Sequence, residues 1–146
     1  MTESSVPPSQ RTELGEAMSD AAIAGKLVLQ HCTACQAVQY PPRDICCNCL
    51  SDDLQWQETA AQGTLLAASA LHHSHETYFQ ERLPWTVASV QLDSGPILFV
   101  HAAPDAIESG TRVRVFTQID RSGQAVLVAT GLDNSADNTL ILQQMG

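Results

Sequence analysis

The stretch HCTACQAVQYPPRDICCNCL, residues 31–50, holds all five cysteines of a chain of 146 residues. Four of them form two Cys-x-x-Cys pairs, Cys32 with Cys35 and Cys46 with Cys49, and ten residues separate the pairs. Each pair can wrap a tight turn that presents two sulfurs to one point, and the loop between them brings the two turns together. Four thiolates around a tetrahedral ion, at about 2.3 Å each, are the ligands that structural zinc requires. The stretch therefore predicts a zinc site.

Other roles for these cysteines fit the sequence less well. A disulfide framework is typical of secreted chains, whereas these cysteines lie within 18 positions and follow no secretory signal. A thioredoxin-like redox centre needs one Cys-x-x-Cys beside a βαβ pattern, not two in tandem. An iron centre with four thiolates shares the geometry and stays open as an alternative. Because four sulfurs leave no open coordination position, we expect the metal to stabilise the fold and not to catalyse.

The sequence offers no catalytic residue. Cys47 lies inside the second turn, whose first and last sulfurs are the expected ligands, so we expect a surplus buried or packing thiol and not a nucleophile. His72, His73 and His75 form an HHxH cluster. A second metal site there is the alternative to solvated loop histidines, which usually lack acidic or cysteine companions. His101 lies within a predicted strand, where we expect a hydrogen-bonded wall residue.

Composition and charge limit the classes of partner. The formal charge is −9, with −5 over residues 1–62 and −4 over residues 63–146. Both halves would repel phosphates, which argues against nucleic acid. The chain lacks an apolar run of about 18 residues, so we expect no membrane span. The start of the chain does not read as a signal peptide, and clustered reduced thiols favour the cytoplasm.

Hydrophobic patterning predicts a mainly β fold. Apolar residues at helical spacing indicate a helix from Glu13 to Ala24, which Gly25 ends. Short strands then lead into the first cysteine turn and return antiparallel to it, as in a rubredoxin-like zinc ribbon. We predict four parts: a disordered tail over 1–12, the helix plus zinc ribbon over 13–58, a barrel over 59–130, and a C-terminal tail over 131–146.

The barrel prediction depends on five short β-runs separated by turn signals. They cover residues 63–71, 85–92, 97–102, 112–119 and 124–130. Five strands without long intervening helices indicate a small closed barrel such as a five-stranded OB-fold. The second and third runs are apolar at nearly every position, more than a small barrel can turn inward. We therefore expect the zinc ribbon and a second protein to cover the outer face.

The order of these motifs resembles one family. Residues 25–30 read GKLVLQ, residues 40–43 between the cysteine pairs read YPPR, and residues 84–88 in the barrel read PWTVA. This order is similar to that of the zinc-ribbon/OB-fold proteins that accompany thiolases and other acyl-CoA enzymes, over roughly residues 14–130. The chain departs from that family in having Cys47 where proline commonly follows the third ligand.

The resemblance implies a non-catalytic, zinc-binding scaffold subunit of a thiolase-like acyltransferase complex. Its substrates would be acyl-CoA or small acylated molecules of the polyketide type. In acylphloroglucinol biosynthesis such a subunit joins a thiolase-like and a 3-hydroxy-3-methylglutaryl-CoA-synthase-like protein in a hetero-oligomer. A hypothesis of a different class is a nucleic-acid-binding zinc-ribbon/OB module, which would need a cationic groove around its aromatic residues.

Two groups of residues are candidates for the surface that meets a partner or acyl-CoA. The first lies in the loop 72–84, where Tyr78, Phe79 and Arg82 are predicted to reach toward an acyl-CoA channel. The second group lies on the barrel strands and comprises Trp85, Arg112, Arg114 and Phe116, since aromatic residues and arginine are enriched in interface cores. Arg43 is expected to compensate the charge of the metal centre, with contact to a coenzyme A phosphate as the alternative.

Overall fold

The structure is a computed structural model that describes residues 13–102, 108–120 and 123–132. The predicted tail 1–12 and residues 133–146 of the predicted C-terminal tail lie outside the described residues. The division of the chain at residues 12/13, 58/59 and 130/131 stays a prediction.

The N-terminal part contains one helix and a three-stranded sheet. A short 3-10 turn, Glu13–Gly15, leads into helix α1, Glu16–Ile23. Strands β1 (Val28–Cys32), β2 (Val38–Gln39) and β3 (Leu54–Glu58) form an antiparallel sheet in the order β2-β1-β3. The expected ribbon is therefore present, with β1 at its centre and the two cysteine turns at its end.

Helix α1 ends where the sequence predicts. Gly25 has a φ of 72°, in the left-handed region that glycine adopts at no steric cost. Its N–H donates to the Ala22 carbonyl at 2.9 Å, and the N–H of Lys26 donates to the Ala21 carbonyl at 3.0 Å. These two bonds are the Schellman pattern, which satisfies carbonyls that the last turn leaves without partners.

The remaining strands close into a barrel. They are β4 (Gln62–Leu71), β5 (Trp85–Leu92), β6 (Ile97–Ala102), β7 (Arg112–Ile119) and β8 (Ala125–Gly131), with a one-turn helix α2 (Thr77–Gln80) between β4 and β5. The strand order is β4-β5-β6-β8-β7, and β4 pairs with β7 to complete the ring. Every pair is antiparallel except β6 with β8. The predicted mainly β fold with a five-stranded OB-type barrel is confirmed.

At Gly63, strand β4 pairs with a neighbouring strand on each of its two edges. Gly63 pairs with Leu92 of β5 and with Val113 of β7. A Cβ at this position would lie 2.5 Å from the Gln91 carbonyl oxygen and 2.9 Å from a Val90 methyl carbon. The strand can therefore approach β5 this closely only without a side chain.

One hydrophobic core joins the barrel to the N-terminal part. Along the barrel strands, alternate residues such as Val90, Leu98 and Val115 are fully buried in the interior. Met18 of α1 and Leu29 of β1 belong to the same cluster. Helix and ribbon therefore complete the barrel core and do not form a separate one.

Candidate metal centre and partner surface

The four paired cysteines converge at the end of the ribbon. Their sulfurs all lie within 4.8 Å of one another, with Cys32 and Cys49 separated by 3.5 Å and Cys35 and Cys46 by 3.6 Å. Four sulfurs about 2.3 Å from a central ion would stand roughly 3.8 Å apart at tetrahedral angles. The arrangement thus fits a tetrahedral zinc ion without rearrangement of the loops.

Hydrogen bonds prepare two of these sulfurs for the thiolate form. The side chain of Asn48 and the backbone of Ala37 hydrogen-bond to Cys35 and lower its pKa to about 6. The backbone N–H groups of Cys49 and Asn48 lie 3.5 Å and 3.3 Å from the Cys46 sulfur, and they lower the pKa of that thiol. Donors aimed at sulfur stabilise the charged form, which is the form that binds metal.

The pKa of the fourth ligand, Cys49, is shifted in the opposite direction, which indicates that the centre needs a cation. The backbone of Ser51 acts to lower the pKa of Cys49, but Cys32 foremost, then burial and the other two thiols, outweigh it and raise the pKa to about 12. Several thiolates this close together repel one another. A divalent ion removes that repulsion, so a structural metal accounts for the crowding.

The histidines of the alternative second metal site do not converge. His72, His73 and His75 are exposed, and among the described residues the cysteines are the only group of histidine, cysteine or acidic side chains whose ligand atoms meet. Cys47 is also exposed, so it is not the buried thiol that the sequence suggested. Arg43 is exposed and contributes backbone atoms, described below, to the support of the metal loop.

The loop 72–84 folds back on the barrel instead of projecting from it. Tyr78 lies in α2 and is only 1% exposed. The guanidinium of Arg82 lies 3.8 Å from the Tyr78 ring centroid and donates to the Tyr78 carbonyl at 2.6 Å. Tyr78 is therefore unable to offer a surface to a ligand, and Arg82 is held by its own loop.

Trp85 is buried on the outer wall of the barrel. It is 5% exposed and lies in a cluster with Val126 and Val128, to which Phe79 and Phe116 add partly buried rings. The sequence predicts Trp85 on a partner surface, and this prediction is wrong because α2 and its loop cover the ring. Phe116 keeps only part of its surface accessible.

The two arginines of β7 differ in their surroundings. Arg112 forms a bidentate pair with Asp93, with N–O distances of 2.8 Å and 2.6 Å, and donates to Thr64 at 3.0 Å. This hydrogen-bonded pair lowers the pKa of Asp93 and raises that of Arg112. Arg114 is exposed on the same face. One of the two predicted cations is therefore neutralised within the chain.

The accessible apolar surface lies elsewhere, on the outer face of β4, β5 and β6. Phe99 is 78% exposed and Ile97 is 47% exposed. Beside Phe99 lies a shallow hollow of about 180 Å³, whose wall includes Ala67 and Val87. We call this surface the Phe99 strip and define it by Ala67, Ser69, Val87, Ser89, Ile97 and Phe99. The apolar run over residues 97–102 already indicates it, because Ile97 and Phe99 share a face opposite Leu98 and Val100.

Phe99 also borders a larger groove between the ribbon and the barrel. This groove has a volume of about 320 Å³, and its walls include Met18 of α1, Pro41 and Pro42 of the ribbon loop, and His101 of β6. The Phe99 strip and the groove therefore form one continuous surface on this side of the molecule. Within the described residues, no helix combines the length and apolar character needed to cross a bilayer.

Comparison with known families divides the chain into two matched parts. Residues 19–55 match the rubredoxin-like zinc ribbon domain of ChsH2, and residues 56–118 match the C-terminal OB-fold domain of ChsH2. Zinc is therefore the metal expected at the four cysteines, and the iron alternative is not favoured.

Two relatives extend this comparison. A solved structure described as the Ltp2-ChsH2(DUF35) aldolase superposes with a TM-score of 0.71 at 28% sequence identity, covering 85% of this chain and 98% of that chain. A protein of Thermomonospora curvata named "Probable enoyl-CoA hydratase alpha subunit" is 36% identical over 97 residues. That alignment covers 64% of this chain and 30% of the relative, so the chain spans less than a third of that protein.

Proposed function

We propose that this chain, which belongs to the ChsH2 family of zinc-ribbon and OB-fold proteins, is a non-catalytic accessory subunit of a thiolase-like acyl-CoA enzyme. The zinc ribbon would hold the subunit in shape, and the barrel would carry the contact with the enzyme. The family's link with acyl-CoA processing supports the class of substrate. Small acylated substrates of the polyketide type, and a third 3-hydroxy-3-methylglutaryl-CoA-synthase-like subunit, belong to the same proposal.

The observation that carries the proposal is the exposure of the Phe99 strip. Isolated exposed apolar residues are ordinary, but here Phe99 lines a hollow on the outer face of the sheet, and the exposed Ile97 lies on the same face of β6. An aromatic side chain next to an apolar hollow can serve as the anchor of a protein interface, with the hollow receiving a side chain of the partner. The two-component name of the aldolase relative supports a protein partner for this chain.

The metal centre supports a structural role for the chain. All four cysteines serve as its ligands in this proposal, which leaves no coordination position for substrate. The remaining thiol, Cys47, is exposed within a loop of the centre and has no histidine set against it in any described contact. Chemistry on acyl-CoA would then belong to the partner's residues.

A nucleic-acid-binding role is less well supported. The chain carries a net charge of −9, and Asp93 neutralises Arg112. The most exposed aromatic residue, Phe99, stands among apolar and small polar side chains and not among cations. Stacking surfaces for single-stranded nucleic acid need a positive groove around them.

Co-expression tests the proposal directly. The chain would be produced with thiolase-like proteins of its own organism and purified through a tag on the partner, followed by size-exclusion chromatography and zinc analysis. We expect a stable hetero-oligomer that contains one zinc per copy of this chain. Elution of the chain as a monomer that binds none of the thiolase-like candidates would contradict the proposal.

A further inference from the structure

Two glutamines with almost no exposed surface stand beside the metal centre. Gln30 on β1 and Gln39 on β2 are 3% and 4% exposed and face each other across the strands. The Gln39 Nε2 donates to the Gln30 Oε1 at 2.8 Å. Burial of two amides is unfavourable unless hydrogen bonds replace water, so their remaining partners decide their role.

Those partners are backbone groups of the loop that leads to the second cysteine pair. Gln30 donates to the Arg43 carbonyl at 2.9 Å and accepts from the Arg43 N–H at 2.8 Å. Gln39 donates to the Ile45 carbonyl at 3.2 Å and accepts from the Cys47 N–H at 2.8 Å. Residues 43, 45 and 47 are therefore held by side-chain amides at every second position, much as a neighbouring strand would hold them.

The held loop contains a metal ligand. Cys46 lies between the Ile45 and Cys47 contacts and is fully buried, and Cys32 follows Gln30 by two residues on β1. The glutamine pair thus connects the strand that carries the first thiol to the loop that carries the third.

We propose that Gln30 and Gln39 are positioning residues for zinc, and we call them the amide clamp. The clamp holds residues 43–47 so that the second cysteine pair already faces the first before the metal binds. Ordering this loop in advance removes an entropic cost from metal binding. This inference concerns the metal site alone and holds whether or not a partner enzyme binds the chain.

The chemistry of the clamp requires amides. Each glutamine acts as donor and acceptor at once, so leucine removes every bond. Glutamate keeps the acceptor oxygens, but it loses the donors and brings a negative charge near four thiolates. In Gln39→Glu the new carboxylate would face the Ile45 carbonyl and the Gln30 oxygen. In Gln30→Glu only the bond to the Arg43 carbonyl is lost, so its effect should be smaller.

Zinc competition on the full chain tests the clamp. Affinity would be measured against a chromophoric chelator for the native chain, Gln39→Leu, Gln39→Glu and Gln30→Glu. Removal of groups that orient metal ligands typically weakens binding by about 10- to 100-fold, which we expect for both Gln39 variants. Gln57→Glu is the matched control, because Gln57 is an exposed glutamine of β3 whose amide donates to Gln55 at 3.3 Å. We expect that control to bind zinc within about twofold of the native chain.

Substitution of cobalt(II) for zinc distinguishes a role in positioning the cysteine ligands from a general loss of stability of the fold. Its d–d and thiolate charge-transfer bands report the ligand geometry, which a general loss of stability leaves unchanged at saturating metal. We expect weaker or shifted bands in Gln39→Glu and native bands in Gln57→Glu. If Gln39→Leu does not fold, Gln30→Glu and Gln39→Glu decide the question. Native zinc affinity and native cobalt bands in both glutamate variants, or equal losses in the control, would overturn the inference.

Discussion

The indole N–H of Trp85 donates a 2.8 Å hydrogen bond to Nδ1 of His101, across the pair of strands β5 and β6. An indole nitrogen can only donate, so Nδ1 is the acceptor and the neutral ring carries its proton on Nε2. The Phe79 ring packs against both partners, with centroid distances of 5.4 Å to Trp85 and 6.4 Å to His101. The pair fixes the loop that covers the outer wall, and Trp85 therefore acts in folding.

Loss of this bond should reduce stability. Trp85→Phe keeps an aromatic ring but leaves Nδ1 of His101 without its donor, and we expect the free energy of unfolding to fall by about 1–3 kcal/mol. Urea unfolding followed by circular dichroism measures the change. Trp56→Phe, at the half-buried tryptophan of β3, is the control with the same substitution. Equal stability of Trp85→Phe and the native chain would show that the bond contributes little. Trp85→Asp should prevent folding, so it is unsuitable for testing an interface.

The Phe99 strip should decide partner binding. Phe99→Asp places a charge on the proposed anchor, and we expect at least a tenfold loss of affinity for the thiolase-like partner with unchanged zinc content. Ile23→Asp is a closely matched control, because Ile23 is also 78% exposed but lies on α1. Calorimetry or a tag-based pull-down would measure both. Retention of the partner by Phe99→Asp would place the interface on another face.

The ligand assignment predicts unequal roles for the cysteines. Cys35→Ser should lose the zinc and unfold the ribbon, since removal of metal from such sites costs on the order of 10 kcal/mol. Cys47→Ser should keep one zinc per chain, because Cys47 is not among the four cysteines whose sulfurs converge. Elemental analysis of both purified variants tests this assignment. A full zinc content in Cys35→Ser would require a different set of ligands.

Gly63 should be the least tolerant glycine of the barrel. A methyl group there would meet the Gln91 carbonyl, and we expect Gly63→Ala to lower the free energy of unfolding by about 1–3 kcal/mol. Gly131→Ala is the comparison, because nothing lies within 4 Å of a Cβ at that strand position. Thermal melts of the two zinc-loaded variants should therefore differ, and similar melting temperatures would mean that β4 and β5 can separate without cost.

The chain alone should not turn over acyl-CoA. A release assay for free coenzyme A thiol, run on the purified chain at high concentration, should give only the uncatalysed rate. Catalysed release of coenzyme A should appear only when the thiolase-like partner is added. Turnover by the isolated chain that is lost in His75→Ala or Cys47→Ser would reveal a catalytic site in this subunit.

The metal site and the barrel were predictable because their determinants are local in the sequence. Zinc ligands must lie close together on tight turns, so the spacing of Cys32, Cys35, Cys46 and Cys49 constrains their geometry. The strands follow from short runs, some alternating and some apolar throughout, that are bounded by turn residues such as those at 93–96. Both signals depend on a few neighbouring residues and need no knowledge of distant contacts.

Features that depend on distant contacts were not predictable in the same way. Helix α2 has a single turn, and it is supported by the burial of Tyr78 and not by helical periodicity. Trp85 lies on a strand that is apolar on both faces, so its pattern does not say which face its own chain will cover. Gln30 and Gln39 resemble solvated strand positions until residues 43–47 are placed beside them.

The shared hydrophobic core limits how this protein can be recombined. Leu29 of the ribbon packs in the same cluster as Val90 and Leu98 of the barrel, whereas its neighbour Gln30 holds the metal loop on the opposite face of β1. A chimera joined at residues 55/56, the border between the two matched domains, would cut through that cluster. Exchange between homologues should therefore succeed only when ribbon and barrel are transferred together, so that both domains come from the same parent sequence.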